Sequence, residues 1–309
     1  MEKHISVLLN ESISSLNLDE NSIIVDATLG YGGHSSNILD RINKGYLFAF
    51  DQDSEAIRHS TSRLSAIGTN FTIIKSNFVH MKRELEKLGV KEVDGVLFDL
   101  GVSSPQLDDS FRGFSYRNDA RLDMRMDREQ ELSAYEVVNE YSKEDLVRIF
   151  FKYGEDRFAK NIAKKICEAR LEKPIETTLE LVEIIKAAVP LKFRKDKHPA
   201  RQIFQAIRIE VNHELDVIEP ALEQALDLIK VGGRVAVITF HSLEDRIVKK
   251  YFKEKCKCDD RVRGMPNIPQ EYLPDFKLVV NKAIVPSEEE IKNNPRARSS
   301  KLRVIERIK

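Results

Sequence analysis

The stretch Asp26-Ala-Thr-Leu-Gly-Tyr-Gly-Gly-His34 follows the apolar run Ile23-Ile24-Val25 and leads into a helix-like segment, residues 35–39. A strand, a glycine-rich turn and a helix in this order form a cradle for a nucleotide-type ligand. The glycines at positions 30, 32 and 33 permit a tight turn and let the backbone approach a ligand closely. The segment therefore predicts an α/β fold with a ligand site at the end of its first strand.

The residues around these glycines indicate which ligand is bound. A dinucleotide fingerprint has a glycine where this chain has Ser35, and here the acid, Asp26, stands at the end of the strand, before the glycines. This order favours a ligand whose amino-acid end carries an ammonium group over a pyrophosphate, and we infer S-adenosylmethionine. The alternative is that Asp26 only caps the following turn.

Polar residues also end three further apolar runs that we interpret as strands: Asp51 after residues 45–50, Asn77-Phe78 after residues 71–74, and Asp99 after residues 93–98. Asp51 follows Gly30 by about 20 residues, where an acid can accept both hydroxyls of an adenosine ribose. Phe78 and Asn77 could stack on adenine and hydrogen-bond to it. The carboxyl ends of parallel strands meet at one sheet edge, so these residues predict a single site there, although Asp99 could also be a turn cap.

After the fourth strand the periodicity changes from strands to helices. Apolar residues three and four positions apart predict helices over Lys143–Lys152, Glu155–Glu172 and Leu179–Val189, the last with its N-cap at Thr177 and Thr178. We expect the long amphipathic run Gln202–Ile229 to break or kink at Pro220.

The strand pattern returns at Arg234–Phe240, after a predicted turn at Gly232-Gly233. The last strand candidates are Phe276–Val285 and Lys301–Ile308. We therefore predict a sheet domain made of residues 1–108 and 212–309, and an inserted helical domain, residues 109–211, that recognises the substrate.

Composition limits the class of protein. The chain has 309 residues, of which 41% are hydrophobic and 32% charged, which is typical of a globular protein with a real core. No apolar run approaches the ~20 residues that span a bilayer, and no secretion signal begins the chain, so we expect a cytoplasmic protein without a membrane partner. Cys256 and Cys258 could form half of a zinc site, but no second pair is near, and we predict no metal.

Several separate blocks of sequence resemble the RsmH family, formerly MraW, over essentially the whole chain. These blocks are His4–Leu9, Asp26–Ser35, Asp99–Asp108, Arg112–Ser115, Leu122–Asp127, Tyr153–Ala159, His198–Ala200, Phe204–Ile209, Phe240–Arg246 and Asn294–Ser299. The resemblance implies a class I S-adenosylmethionine-dependent methyltransferase with a Rossmann-like, mostly parallel sheet and an inserted helical domain. It also implies methylation of the exocyclic N4 of a cytidine in the decoding region of 16S rRNA, within the small ribosomal subunit and without DNA.

By the same resemblance, seven residues contact the cofactor: Gly32, Gly33, His34, Asp51, Phe78, Asp99 and Gln106. His34 could instead bond locally in the first turn of a helix. Ser103–Gln106 is similar to the Ser/Asp/Asn-Pro-Pro-aromatic tetrapeptide of enzymes that methylate exocyclic amines, but Gln106 stands where the aromatic residue belongs. We take Asp99 and Ser104 as the catalytic residues, because acceptors there could direct the lone pair of the amine.

The end of the chain carries an excess of Lys and Arg that points to a polyanionic partner. Arg296, Arg298 and Lys301 are the candidate RNA-phosphate contacts, with Pro295 favouring an extended segment that projects both arginines to one side. The alternatives are a solvated surface, or pairing with residues 288–290.

Two other motifs have open interpretations. His241 follows a strand at the carboxyl edge, where it either faces the substrate or is a satisfied loop histidine. Leu122–Asp127 alternates apolar and charged residues, and could be an edge strand, a loop that packs its methionines on the core, or a substrate-lining segment.

Two other classes of protein compete with a methyltransferase. A dehydrogenase has a similar sheet, but Ser35 and the Ser103–Gln106 loop argue against it. A non-enzymatic RNA-binding protein could retain a vestigial pocket, but the complete set of acids at the strand ends argues against that.

Overall fold

The computed structural model describes residues 6–194, 198–262 and 269–309. The chain divides into two compact units, one formed by Met1–Gly101 with Asp216–Lys309 and the other by Val102–Leu215. Residues 4 and 5, which begin the His4–Leu9 block, lie outside the described residues, and so do residues 263–268.

A mostly parallel sheet is the centre of the first unit. Its described strands, numbered along the chain, are β1 Ile23–Asp26, β2 Tyr46–Asp51, β3 Phe71–Lys75, β4 Val93–Asp99, β5 Ile229–Thr239, β6 Phe276–Leu278 and β7 Lys301–Arg307. Their spatial order is β3-β2-β1-β4-β5-β7-β6. Strands β1 to β5 are parallel, and β7 is antiparallel to both β5 and β6. The predicted fold class is confirmed.

The central strands carry runs of consecutive apolar residues because both faces of the sheet are covered. Ile24, Leu47 and Leu97, one from each of three adjacent strands, are fully buried in the same core cluster. The register aligns Asp26 with Ala49 of β2 and with Leu97 of β4, so Asp51 and Asp99 lie just beyond the end of β1. The acids that follow these apolar runs therefore reach one edge of the sheet.

Helices complete both units. The first unit contains α1 Leu9–Ser15, α2 Gly33–Leu39, α3 Ser54–Ser65, α4 Met81–Lys87, α11 Ile218–Leu228, α12 Ser242–Lys255 and α13 Glu288–Asn293. The second contains α5 Ser104–Asp108, α6 Ala134–Glu140, α7 Lys143–Lys152, α8 Ala159–Glu172, α9 Thr178–Ala188 and α10 Ala200–Asn212.

Within the second unit, the helices predicted from apolar spacing form near the expected positions. Thr177 caps α9 in a capping box with Glu180, which satisfies backbone N–H groups that the helix leaves unpaired. Leu122–Asp127 forms no strand; Leu122 and Met124 are fully buried, so packing is its structural role. In the described part of this unit, β pairing is limited to one isolated bridge between Arg121 and Thr177.

The long amphipathic run does not break at Pro220, and that prediction is wrong. Helix α10 ends at His213, which adopts the left-handed conformation with φ 51°, and α11 begins at Ile218. Pro220 lies in the first turn of α11, where a missing backbone N–H breaks no helical hydrogen bond. The break therefore comes from a left-handed cap and coincides with the boundary between units.

Two strand boundaries also differ from the prediction. Strand β5 begins at Ile229 and continues through Gly232-Gly233, which lie where its register with β4 shifts, so these glycines form no turn before the strand. Gly232 has φ 84°, a conformation that glycine adopts without strain. The candidate Phe276–Val285 forms a strand only over Phe276–Leu278.

Replacing His213 with Gly should raise the free energy of unfolding by about 0.5–1 kcal/mol. The exposed His213 adopts a left-handed conformation, which costs a residue with a Cβ roughly 1–2 kcal/mol. Glycine avoids this cost, but its greater freedom in the unfolded state offsets part of the gain. Urea unfolding measures the change. His213→Ala, which keeps the Cβ, is the matched control, and an equal gain in that variant would contradict the explanation.

Candidate active site

The glycine loop after β1 is held close to other parts of the first unit. A side chain on Gly33 would overlap the hydroxyl of Ser6, and one on Gly32 would lie 3.1 Å from Ser60 Oγ. Ser60 Oγ donates to the carbonyl of Gly30 at 2.7 Å, and Arg63 Nη1 donates to the carbonyl of Tyr31 at 3.2 Å. Helix α3 thus fixes the loop from outside, a role that the sequence pattern did not reveal for Ser60 or Arg63.

Asp26 is buried, and it bonds within its own loop. Its carboxylate accepts from the Ser35 hydroxyl at 2.6 Å and from the backbone N–H of Thr28 at 3.1 Å. Burial raises its pKa, although these donors act in the opposite direction. The structure therefore favours the interpretation of Asp26 as a turn cap. Ser35, which departs from the dinucleotide fingerprint, is the partner that a buried acid needs here.

Asp51 connects the end of β2 to the glycine loop. Its carboxylate accepts from the backbone N–H groups of Gly30 and Asp53, at 2.7 and 2.8 Å. Burial raises the pKa of Asp51 to about 6, although the backbone donors lower it. A carboxylate in this position is oriented by two donors before any ligand arrives.

Phe78 begins a short 3-10 helix after β3 and packs edge-on against Phe98, with ring centroids 5.6 Å apart. The amide of Asn77 already has partners on both sides: its oxygen accepts from the backbone N–H of Val79, and its nitrogen donates to Gln52 Oε1 at 3.1 Å. Asn77 therefore organises the turn, and the contact of Phe78 with the cofactor stays a prediction.

Asp99 ends β4 beside the buried His34. Asp99 Oδ2 lies 3.5 Å from His34 Nδ1, and the backbone N–H of Asp99 donates to Thr28 Oγ1 at 2.6 Å. Asp99 Oδ1 is a buried oxygen without a hydrogen-bond partner. Burial raises the pKa of Asp99 well above its usual range, and the nearby carboxyls of Asp26 and Glu244 raise it further.

His241 forms the N-cap of α12. Its Nδ1 accepts from the backbone N–H of Glu244 at 3.4 Å, and the Glu244 carboxylate accepts from the backbone N–H groups of Phe240 and His241. The structure thus favours the interpretation of His241 as a loop histidine, one that caps a helix through Nδ1 while its buried Nε2 makes no hydrogen bond. Glu244 is almost fully buried. A residue that can cap a helix, followed three positions later by Glu, is the signal that could have revealed this role for Glu244.

Ser104 and Gln106 belong to the second unit. Ser104 is the first residue of α5, and Gln106 completes a capping box in which its Oε1 accepts from the backbone N–H of Ser103 at 3.0 Å. The predicted catalytic role of Ser104 and cofactor role of Gln106 stay predictions.

The basic tail differs from the expected extended segment. Arg296 and Arg298 lie in a 3-10 turn, Pro295–Ser299, where residues two apart point in different directions, so the one-sided arrangement is wrong. Both are exposed and flank the buried Ala297. Lys301 pairs with Asp245 at 2.8 Å. Their RNA contacts stay predictions.

The site fits S-adenosylmethionine. The glycine loop has little room for side chains at Gly32 and Gly33, a carboxylate oriented by backbone donors ends β2, and an aromatic side chain follows β3. Together with the strand order, these features define a class I S-adenosylmethionine-dependent methyltransferase. The chain belongs to the MraW methylase family, whose model matches residues 1–308.

The chain is also similar to individual proteins. A relative from Exiguobacterium sibiricum, named ribosomal RNA small subunit methyltransferase H, is 56% identical over 310 residues, covering 100% of this chain and 99% of its own. Among solved structures, an rRNA methylase from Streptococcus thermophilus is 15% identical with a TM-score of 0.44, covering 99% of this chain and 100% of its own. An O-methyltransferase from Thermotoga maritima is 10% identical with a TM-score of 0.43, and the match covers 100% of this chain and 69% of its own.

The described residues include neither a membrane-spanning helix nor a cluster of metal ligands. None of their helices is long and apolar enough to cross a membrane. They contain no group of three or more His, Cys, Asp or Glu side chains arranged to hold a metal ion.

Asp51→Ala should weaken binding of S-adenosylhomocysteine at least a hundredfold at pH 7.5, since two hydrogen bonds to a charged group are worth at least about 3 kcal/mol. In the wild type, affinity should fall as the pH drops below about 6, because the carboxyl must lose its proton to accept from the ribose. Calorimetry at several pH values measures both. The variant should show no such pH dependence, and unchanged affinity in a folded variant would exclude Asp51 from the site.

Proposed function

We propose that this protein transfers the methyl group of S-adenosylmethionine to the exocyclic N4 of a cytidine in the decoding region of 16S rRNA. The small ribosomal subunit is its proposed partner, and DNA is not a substrate. The name of the 56% identical relative supports a small-subunit rRNA substrate. The choice of a cytidine amine rests on Asp99 and on the Ser103–Gln106 segment that follows it in the chain.

Seven residues would hold the cofactor: Gly32, Gly33, His34, Asp51, Phe78, Asp99 and Gln106. When bound, S-adenosylmethionine supplies an electrophilic methyl group on a sulfonium with a neutral leaving group. Positioning can then provide most of the catalysis, up to ~7–11 kcal/mol in well-oriented reactions. The rigid glycine loop, clamped by Ser60 and Arg63, is the part of this chain that meets that requirement.

The single observation that carries the proposal is the Asp99 carboxyl at the end of β4. The amine of cytosine is a poor nucleophile because its lone pair is delocalised into the ring. An acceptor on its N–H bonds localises that lone pair and directs it towards the methyl group. Asp99 keeps 26% of its side chain exposed, so an amine can approach this carboxyl. Ser104 is the proposed second acceptor.

The second unit has the proposed role of recognising the substrate, as predicted for residues 109–211. In the structure the compact unit runs from Val102 to Leu215, and it contains the Ser103–Gln106 segment. We also propose a cytoplasmic location, supported by three cysteines that form no disulfide.

Asp99→Asn should reduce the methylation rate about tenfold or more, because the amide replaces a charged acceptor worth about 1.5–3 kcal/mol. The assay is transfer of labelled methyl to small subunits, followed by nucleoside mass spectrometry, with N4-methylcytidine as the expected product. Calorimetry separates an effect on the rate from one on cofactor affinity. If the wild-type protein produced a methylated nucleoside other than N4-methylcytidine, the choice of substrate would be overturned.

Arg296→Ala with Arg298→Ala should weaken binding to RNA or the small subunit while leaving affinity for S-adenosylmethionine intact. Loss of two phosphate contacts lowers the slope of log affinity against log salt by roughly 1.4, at about 0.7 for each on a single strand. Arg83→Ala with Lys87→Ala, which removes two exposed cations from α4, is the control. A lower melting temperature with an unchanged salt slope would mean that the arginines only hold the tail in place.

A further inference from the structure

The surroundings of His34 determine which of its ring nitrogens carries hydrogen. His34 is 5% exposed, and its Nε2 lies 3.1 Å from the carbonyl oxygen of Val7. A carbonyl oxygen only accepts, so Nε2 must be the nitrogen that donates. In a neutral imidazole the other nitrogen, Nδ1, then presents a lone pair, and it faces Asp99 Oδ2 at 3.5 Å.

An unprotonated Nδ1 facing an ionised carboxylate would place two lone pairs against each other. A proton between the two atoms converts this repulsion into a hydrogen bond. The distance of 3.5 Å is long, as catalytic hydrogen bonds often are before a ligand is bound. The geometry therefore requires one proton in this contact.

The charges around Asp99 favour the same proton. Asp26 on β1 and Glu244 on α12 are like charges that disfavour an ionised Asp99, and His34 on α2 is the basic group beside it. Asp99 Oδ1 is buried without a donor, so an isolated carboxylate there would be poorly compensated. A proton held with His34 reduces that cost.

We infer that His34 Nδ1 and Asp99 Oδ2 hold one proton between them, and that His34 is the positioning residue that makes Asp99 an acceptor for the target amine. With the proton on Nδ1, Asp99 is anionic and the imidazolium compensates its charge. The part of the inference that concerns the amine rests on the proposed function. The proton sharing belongs to the protein alone.

His241 does not offer an equivalent pair. Its Nδ1 accepts from the backbone N–H of Glu244, and its Nε2 faces Glu244 Oε1 at 3.1 Å. This approach forms no hydrogen bond, because Nε2 is a buried nitrogen without a hydrogen-bond partner, and His241 serves the cap of α12 through Nδ1. Of these two histidines, His34 is the one whose lone pair is directed at the carboxyl at the end of β4.

Nitrogen-15 spectra of histidine-labelled protein test the shared proton directly. We expect Nε2 of His34 to carry hydrogen, and Nδ1 to give a signal between those of a bare and a protonated nitrogen. A bare Nδ1 would overturn the inference.

His34→Asn tests the positioning role, because asparagine can donate to Asp99 but has no proton that titrates. Asp99 then titrates alone with its raised pKa, so activity should fall severalfold at acid pH, where that carboxyl is protonated, and recover towards the wild-type rate as the pH rises. His213→Asn is the matched control, with an unchanged profile expected. An equal loss at every pH would show a purely structural histidine and overturn the positioning role.

The two experiments separate this inference from the proposed function. If the spectra show the shared proton but no cytidine is methylated, the proton sharing stands and the proposed substrate falls. If cytidine is methylated while Nδ1 is bare, the proposed function stands and this inference falls.

Discussion

Carboxyl groups that are buried or half-buried at one edge of a parallel sheet are the constraint on which the rest of this structure depends. Asp26, Asp51 and Asp99 end three adjacent strands, β1, β2 and β4. A buried carboxyl needs donors or a proton, and each of these three finds a different solution. Asp26 bonds within its own loop, Asp51 draws the glycine loop to β2, and Asp99 meets His34. The loops at this edge are shaped by those needs.

The glycine-rich loop after β1 is held in one conformation by its neighbours. Gly33 leaves no space for a side chain against Ser6, while Ser60 and Arg63 hold the carbonyls of Gly30 and Tyr31 from α3. Glycine permits the close approach, and the hydrogen bonds remove the freedom that glycine would otherwise retain. A methyl transfer that relies on positioning benefits from a loop ordered before the cofactor binds.

The segment Phe240–Arg246, which follows β5, also contributes a carboxyl to the sheet edge where Asp99 lies. Glu244 closes a capping box with His241 and places a further carboxyl near Asp99, while Asp245 pairs with Lys301 and Arg303 of β7. Although burial raises the pKa of Asp245, these two cations lower it below the usual range. The motif Phe240–Arg246 therefore places one carboxyl near Asp99 and a second carboxyl in ion pairs with β7.

The sequence by itself determined the sheet strands, most helices of the second unit and the acids at the strand ends, because these depend on local periodicity and on residues adjacent in the chain. It predicted a kink at Pro220 because a proline inside a helix and a proline in its first turn are alike in a linear pattern. Only the tertiary structure decided that Asp26 bonds within its loop, that Ser60 and Arg63 hold the glycine turn, and that His34 faces Asp99. Those contacts join residues distant in the chain, and burial, which raises the pKa of Asp99, exists only in the folded protein.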